Sequence, residues 1–182
     1  MDQYQYFNYL NSRSYLGFIY RNFYLYPKIQ KLLLNPVLDV GCGIGDYLKF
    51  NRKAIGLDVN KYNIESIKSK KLNAIKMNYD EIPFEDNTFP SILLDNVLEH
   101  IENPDKLICE MHRVLISEGK LLVGVPGIKG FLADSDHKIF YPEKKLIKLI
   151  ESYRFNFRKT LIMPINFKPL SKYLKSFCIY SL

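Results

Sequence analysis

Apolar and polar positions follow two different periods along this 182-residue chain. From residue 36 onward, short apolar runs alternate with stretches in which apolar residues recur every three or four positions. The runs predict buried strands, and the longer stretches predict amphipathic helices. The predicted strands are PVLDV, AIGLDV, AIKMN, SILLDNV, GKLLVGVP and FRKTLIMP. The predicted helices are GDYLKF, NIESIKSKK, the segment from Pro104 to Ile116, and PEKKLIKLIESY.

This alternation predicts one α/β domain with a doubly wound, mostly parallel sheet and helices on both faces. A chain of 182 residues is long enough to bury the core of a single domain. We divide it into an N-terminal aromatic helical extension (1–35), a ligand-binding core (36–127) and a substrate-side loop, helix and terminal strands (128–182).

The N-terminal extension is rich in aromatic residues, with ten of the 26 in the chain falling in the first 26 positions. Helical spacing of Leu16, Ile19, Tyr20 and Phe23 predicts an amphipathic helix over residues 13–25, and Pro27 suits the first turn of a second short helix. This stripe either packs onto the domain or forms a lid or wall over a substrate.

The net charge of +7 is unevenly distributed. It is +3 over residues 1–36 (four basic, one acidic), −4 over 37–118 (ten basic, fourteen acidic) and +8 over 119–182 (twelve basic, four acidic). A basic segment attracts phosphates, nucleic acid or an anionic membrane surface, but no nucleic-acid-binding motif accompanies these lysines. We therefore interpret them as a solvated face.

Cysteine usage and hydropathy indicate the compartment. The three cysteines are widely separated and form no CxxC pair, which favours neither a disulfide framework nor a zinc site. The N-terminus lacks the pattern of a secretory signal, and no apolar run reaches the ~20 residues that cross a bilayer. These features predict a cytoplasmic protein without a transmembrane segment.

Three glycines, Gly41, Gly43 and Gly45, follow the first predicted strand in the sequence VLDVGCGIG. Ligands of such sheets bind outside the carboxyl ends of the strands, where glycine lets backbone turn sharply and approach a ligand. The spacing is not the G-x-G-x-x-G of dinucleotide sites, because the third glycine would fall on Asp46. With Asp39 preceding the loop, the pattern fits a nucleoside-type ligand that bears a carboxylate and a cationic centre.

Asp58 ends the second predicted strand, 17 residues after Gly41. A carboxylate at this place can accept hydrogen bonds from both hydroxyls of a ribose. Asn60 is a good N-cap for the following helix, which leaves Asp58 for the ligand.

Four segments together resemble a known family. VLDVGCGIG, GLDVN, IPFEDNTFPSILLDNVLEHI and HRVLISEGKLLVGVP are similar, in order and spacing, to the motifs of class I S-adenosylmethionine-dependent methyltransferases, most closely the small-molecule branch with a VLEH signature. The resemblance covers about residues 36–127. It implies a Rossmann-like fold, methyltransferase activity and S-adenosyl-L-methionine as cofactor.

The resemblance also implies roles for individual residues. Asp39 would help to place the amino group of the cofactor, and Asp58 would bind the ribose with Val59 against the adenine. Asn78 stands where the family usually has an acid that meets the adenine amino group, and its side-chain oxygen can still accept that bond. The residues implied in cofactor binding are Asp39, Gly41, Cys42, Gly43, Gly45, Asp58, Val59, Asn78, Tyr79, Asp95 and Asn96.

The chain departs from the family in further places besides Asn78, and the helix between its first two strands is very short. The fourth strand usually opens with Phe-Asp, whereas here it opens with Phe89 and Pro90. Family members usually end with an antiparallel strand pair. Here FKPLSKYLKSFCIYSL looks helical before a short strand at 176–181, which predicts a shortened C-terminal end.

The cofactor carries an activated methyl group, so the protein must align an acceptor and, for an oxygen nucleophile, remove a proton. The sequence shows no metal-ligand pattern, and we expect no metal. His137 and His100 are the candidate bases, although His100 also suits a structural hydrogen bond and the Asp134–His137 segment also suits a capped loop. We expect Asp136, Tyr141 and Tyr20 to contact the acceptor.

These features favour an enzyme that methylates a small-molecule or glycan-like acceptor. Two alternatives stay open. One is a methyltransferase for another acceptor, either a lipid quinone or RNA; the basic segment slightly favours RNA, and the lack of an RNA-reading module disfavours it. The other is a module that binds the cofactor without catalysis and acts on a partner. The sequence leaves the oligomeric state open.

Overall fold

A seven-stranded sheet forms the centre of the molecule in the computed structural model, which describes residues 1–164 and 175–182. Its order is β3-β2-β1-β4-β5-β7-β6; the first five strands are parallel, and β7 is antiparallel to both of its neighbours. The doubly wound α/β prediction is therefore confirmed. The strands are β1 (Val37–Val40), β2 (Ile55–Asp58), β3 (Ala74–Lys76), β4 (Phe89–Asp95), β5 (Leu115–Val125), β6 (Asn156–Met163) and β7 (Lys175–Ser181).

Short helices surround the sheet in the described part of the chain. They are α1 (Gln3–Asn11), α2 (Tyr15–Tyr20), α3 (Tyr26–Gln30), α4 (Asp46–Phe50), α5 (Lys61–Ser69), α6 (Asp105–Val114), α7 (Ile128–Leu132) and α8 (Glu143–Glu151). A π-helical turn at Arg21–Leu25 joins α2 to α3, so the two predicted N-terminal helices form one helical run. No helix among the described residues has the length and apolarity that crossing a bilayer requires.

Two hydrophobic cores lie on opposite faces of the sheet. Alternation along the strands sends Leu38 and Leu94 to one face, where they pack with α6 and α8, and sends Val37 and Leu93 to the other, where they pack with α3, α4 and α5. The sheet is thus buried on both faces, which explains why its strands are continuously apolar.

The C-terminal part of the chain has a longer last strand than the sequence analysis expected. Instead of a short strand, β7 has seven residues and pairs antiparallel with both β5 and β6. The terminal antiparallel pair is therefore present, and the expectation of a shortened end is wrong as regards strands. The predicted helical stretch before β7 lies largely outside the described residues.

Pro90 is accommodated although β4 is a central strand. The register between β4 and β5 shifts between Phe89 and Ser91, so the residue without an N–H falls at a bulge. The strand then runs regularly to Asp95, which lies at the carboxyl edge of the sheet.

The predicted stripe of the N-terminal extension does not pack as a whole. Leu16 is 77% exposed and Phe23 is 76% exposed, whereas Leu25 and Ile29 further along are buried. The packing interpretation is therefore wrong for Leu16 and Phe23. Phe23 lies within the π-helical turn, which interrupts the regular spacing of the stripe. Helix α1, which the sequence analysis did not predict, lies over the carboxyl edge of the sheet.

Candidate functional site

Three adjoining cavities open at the carboxyl ends of β1, β2 and β4, where the strand order reverses between β1 and β4. The inner cavity, about 270 Å³, contains Asp39, Asp46 and Asp95. The tip cavity, about 190 Å³, contains Asp58, Val59 and Tyr79. The outer cavity, about 530 Å³, contains Arg13, Asp134 and His137. Tyr6 and Asn96 line all three, so the cavities form one continuous site.

The glycine loop adopts a backbone that other residues resist. Gly41, Gly43 and Gly45 have φ of +72°, +53° and +74°. A Cβ on Gly41 would lie 2.4 Å from Cγ2 of Val97, and one on Gly45 would lie 2.9 Å from Cγ1 of Ile67. Gly41, Cys42 and Gly43 line the inner cavity, while Gly45 packs under α5 and lines none of the three.

Asp58 holds this loop in place while it faces the tip cavity. The Gly43 N–H donates to Oδ2 and the Asn60 N–H donates to Oδ1, both at 2.8 Å. Burial raises the pKa of Asp58, and these two hydrogen bonds partly oppose the rise. Asn60 accepts the N–H of Tyr62 at 3.0 Å, which confirms it as the N-cap of α5. Each carboxylate oxygen retains lone pairs for a diol.

The walls of the tip cavity are apolar and suit a flat ring. Val59, Met77 and Tyr79 line it together with Ile101. The side chain of Asn78 lies outside the cavity, where its Nδ2 donates to Oε2 of Glu81 at 3.1 Å. The residues beside Asn78, rather than Asn78 itself, thus contact this space.

Charges of both signs surround the inner cavity. Lys175 Nζ lies 2.5 Å from Oδ1 of Asp95, and Arg21 lies 3.1 Å from Oδ2 of Asp46. Among the described residues Asp39 has no ion-pair partner; burial, followed by Asp95, Asp58 and Asp46, raises its pKa well above the usual value. A ligand with an ammonium and a carboxylate would find groups of opposite sign here.

Lys175, Arg21 and Asp46 were missed by sequence reasoning. Lys175 lies 80 residues from Asp95 along the chain and reaches it because β7 is antiparallel, which places the first residue of β7 at the carboxyl edge. No local pattern signals such a contact.

Helix α1 covers the cavities. Tyr6 lines all three of them, and Leu10 is 2% exposed and lies against the glycine loop. Asn60 Nδ2 donates to the Gln3 carbonyl at 2.6 Å, which anchors the helix beside β2. A sequence signal did exist, since Asp2 and Gln5 form a capping box at the start of α1.

The outer cavity brings His100 and His137 together, with ring centroids 4.6 Å apart, and Tyr20 lines the same cavity. Burial, followed by the nearby His137, lowers the pKa of His100. The two other predicted acceptor contacts lie elsewhere. Tyr141 is buried in the core, and Asp136 lies 3.5 Å from the N-terminal ammonium without lining a cavity.

Glu99 lies beside the histidines and was not singled out from the sequence. It is 1% exposed, and neither carboxylate oxygen has a hydrogen-bond partner. Its Oε1 lies 3.8 Å from Nε2 of His137, too far for a hydrogen bond. Burial raises the pKa of Glu99 to about 8.

Comparison with known proteins gives consistent results. Residues 38–123 match a family model described as a methyltransferase domain. An uncharacterized protein of Methanocaldococcus jannaschii is 32% identical over 126 residues, covering 69% of this chain and 59% of that protein. The ubiquinone/menaquinone biosynthesis C-methyltransferase of Haemophilus ducreyi is 31% identical over 102 residues, covering 48% and 39%. The chain thus spans about half the length of these curated relatives.

A solved structure supports the fold. A methyltransferase from Thermotoga maritima, titled a possible histamine N-methyltransferase, superposes with a TM-score of 0.76 and covers 99% of both chains. Its sequence identity is 16%, so the likeness establishes the fold alone.

Proposed function

We propose that the chain is a class I S-adenosylmethionine-dependent methyltransferase and that it methylates a small-molecule or glycan-like acceptor. The observation that carries the proposal is the continuity of the tip, inner and outer cavities around Tyr6 and Asn96. A cofactor with its adenosyl part in the tip cavity and its methionine part in the inner cavity would present its methyl group to the outer cavity. S-adenosylmethionine supplies a methyl group that is already activated on a sulfonium.

The residues present fit this cofactor. A Cβ on Gly41 would collide with Val97, so the loop keeps its close backbone surface only with glycine. Asp58 would hold the ribose diol, and Val59 and Tyr79 would contact the adenine. Asp39 would attract the ammonium of the methionine part. Cys42 and Asn96 would line the path between the two ends.

The outer cavity suits a small polar acceptor. Its volume of about 530 Å³ lies within the range of small-molecule sites. Arg13 and Lys175 supply positive charge, and Tyr9 and Tyr20 supply aromatic surface. The roof formed by α1 favours a compact acceptor over an RNA duplex. His137 lines this cavity, and His100 lines both this cavity and the tip cavity, so both histidines are placed to contact the acceptor.

Free, widely spaced cysteines favour a cytoplasmic site of action.

The test is transfer of an isotopically labelled methyl group from S-adenosylmethionine into a cell extract that has been separated into a low-mass fraction and an RNA fraction. We expect label in the low-mass fraction, with release of S-adenosylhomocysteine. Asp58→Asn should abolish labelling, whereas Asp86→Asn, at an exposed ion pair with Arg113, should leave it intact.

The two alternatives give different results in the same experiment. An RNA methyltransferase would label the RNA fraction in a nuclease-sensitive way, and its RNA binding would weaken steeply with salt. A non-catalytic module would bind S-adenosylmethionine and release no S-adenosylhomocysteine. Either result would overturn the proposed acceptor class or the proposed activity.

A further inference from the structure

We propose that Glu99, His100 and His137 bind a divalent transition-metal ion at the floor of the outer cavity. One ligand atom from each of the three side chains lies within 4.8 Å of the others. Two imidazoles and one carboxylate form a ligand set that suits ions such as Zn²⁺, Co²⁺ or Mn²⁺. These residues match no metal-binding motif, because Glu99 and His100 are adjacent and His137 follows 37 residues later.

The buried state of Glu99 is the first support. A carboxyl group that is 1% exposed and has no hydrogen-bond partner destabilises the fold, because its lost hydration is not replaced. In the described part of the chain, the nearest positive or potentially positive partner is His137, at 3.8 Å. A cation between the two side chains would satisfy both carboxylate oxygens.

The second support is the way in which His137 is held. Nδ1 of His137 lies 2.8 Å from the carbonyl oxygen of Phe131. With Nδ1 as the donor, Nε2 of His137 keeps its lone pair and faces Glu99. A carbonyl on the second ring nitrogen is the arrangement that orients metal-binding histidines.

The backbone fixes the two loops to each other. The N–H groups of Lys138 and Ile139 donate to the Glu99 carbonyl at 2.8 and 3.1 Å. The loop after β5 is therefore held against the turn after β4, and the three side chains stay together without the ion. Ligand atoms around an ion with bonds of about 2.0–2.2 Å lie closer than 4.8 Å, so small side-chain rotations would complete the site.

Three protein ligands leave coordination positions open. Because His100 and His137 both line the outer cavity, those positions face the acceptor. A hydroxyl oxygen of an acceptor bound to the ion would have a lowered pKa and would lose its proton to solvent. This consequence rests on the proposed function and narrows the acceptor to a compound that presents an oxygen; ion binding itself does not depend on it.

The test uses Co²⁺ as a spectroscopic probe and Zn²⁺ as its competitor on the purified, metal-stripped full chain. We expect one Co²⁺ per chain with visible absorption bands that Zn²⁺ removes. Glu99→Gln and His137→Gln should each weaken Co²⁺ binding at least about tenfold. His112→Gln, which alters a ring packed on Phe155, and Glu102→Gln, on an exposed ion pair with Lys138, should change nothing.

Titration of S-adenosylhomocysteine into every variant controls for folding. Glu99→Gln removes a buried acid without loss of volume, so it should retain this binding; if His137→Gln does not fold, His100→Gln provides the same comparison. Absence of stoichiometric Co²⁺ binding, or equal binding by Glu99→Gln, would overturn the metal site. If the original chain binds S-adenosylhomocysteine but no Co²⁺, only the metal proposal is overturned. If it binds Co²⁺ but no S-adenosylhomocysteine, only the proposed function is overturned.

Discussion

The tip cavity and the outer cavity are built in opposite ways. The glycine-loop side of the tip cavity comes from one short stretch of chain, from Val40 to Val59, in which residues meet because β1 and β2 are adjacent parallel strands. The outer cavity instead collects Tyr6 from α1, His100 from the turn after β4, His137 from the loop after β5, and Lys175 from β7. Local sequence therefore encodes the glycine-loop side of the tip cavity, whereas the outer cavity depends on the topology of the sheet.

The largest effect should come from the loop itself. Gly41→Ala would force a residue with a Cβ into φ of +72° and against Val97, costing at least about 1–2 kcal/mol from the backbone alone. We expect at least about a 100-fold loss of S-adenosylmethionine affinity by calorimetry. The melting temperature should fall by roughly 5 °C.

Gly43→Ala is the matched comparison for Gly41→Ala. Its Cβ would lie 3.3 Å from Leu10 Cδ1, the end of a flexible side chain, so the melting temperature should fall less. Normal S-adenosylmethionine affinity in Gly41→Ala would show that the cofactor does not lie against this loop.

Asp58→Asn should have the next largest effect. It removes the charge that the ribose hydroxyls would meet and also weakens the bond from the Gly43 N–H. Loss of two charge-assisted hydrogen bonds corresponds to an affinity loss of about 100-fold. Isothermal titration with S-adenosylhomocysteine measures it, and Asp86→Asn should titrate like the original chain; equal affinities in both variants would contradict the ribose assignment.

Leu10→Ala tests whether α1, which lies over the cavities, slows release of the cofactor. Leu10 is buried against the glycine loop, and its truncation should loosen α1 and speed cofactor release by about tenfold. Stopped-flow displacement measures the release rate. Leu16→Ala, at an exposed position of α2, is the control and should release the cofactor at the original rate. If both variants behave alike, α1 does not retain the cofactor.

The smallest effect concerns Asp39. Its pKa in the folded chain is raised above the unfolded value, so its contribution to stability is present at low pH and is lost as the pH rises above about 4 toward the folded pKa. Asp39→Asn removes this loss, so its melting temperature without cofactor should fall less between pH 5 and 8. A parallel decline in both proteins would mean that Asp39 does not titrate as its burial implies.

The sequence predicted the local half of the site far better than the distant half. Asp58, Val59 and the glycines could be placed because strand, loop and helix follow one another directly. Lys175 could not be placed, since its position depends on β7 entering the sheet antiparallel. Tyr141 was misplaced because spacing after β5 does not reveal whether a ring faces the cavity or the core.

Glu99 shows another limit of sequence reasoning. A pattern identifies that an acid follows β4, but only coordinates show that the acid is enclosed without a partner beside two imidazoles. The same holds for Gly45, whose conformation the loop motif indicated and whose contact with Ile67 it did not.

The insertion of β7 between β5 and β6 has a consequence for synthesis of the protein. Until residues 175–181 have left the ribosome, β6 has no neighbour in the sheet and its apolar end at Ile162 and Met163 has no finished core to enter. A product truncated before residue 175 would therefore lose two strands rather than one, and would be a substrate for chaperones and proteases.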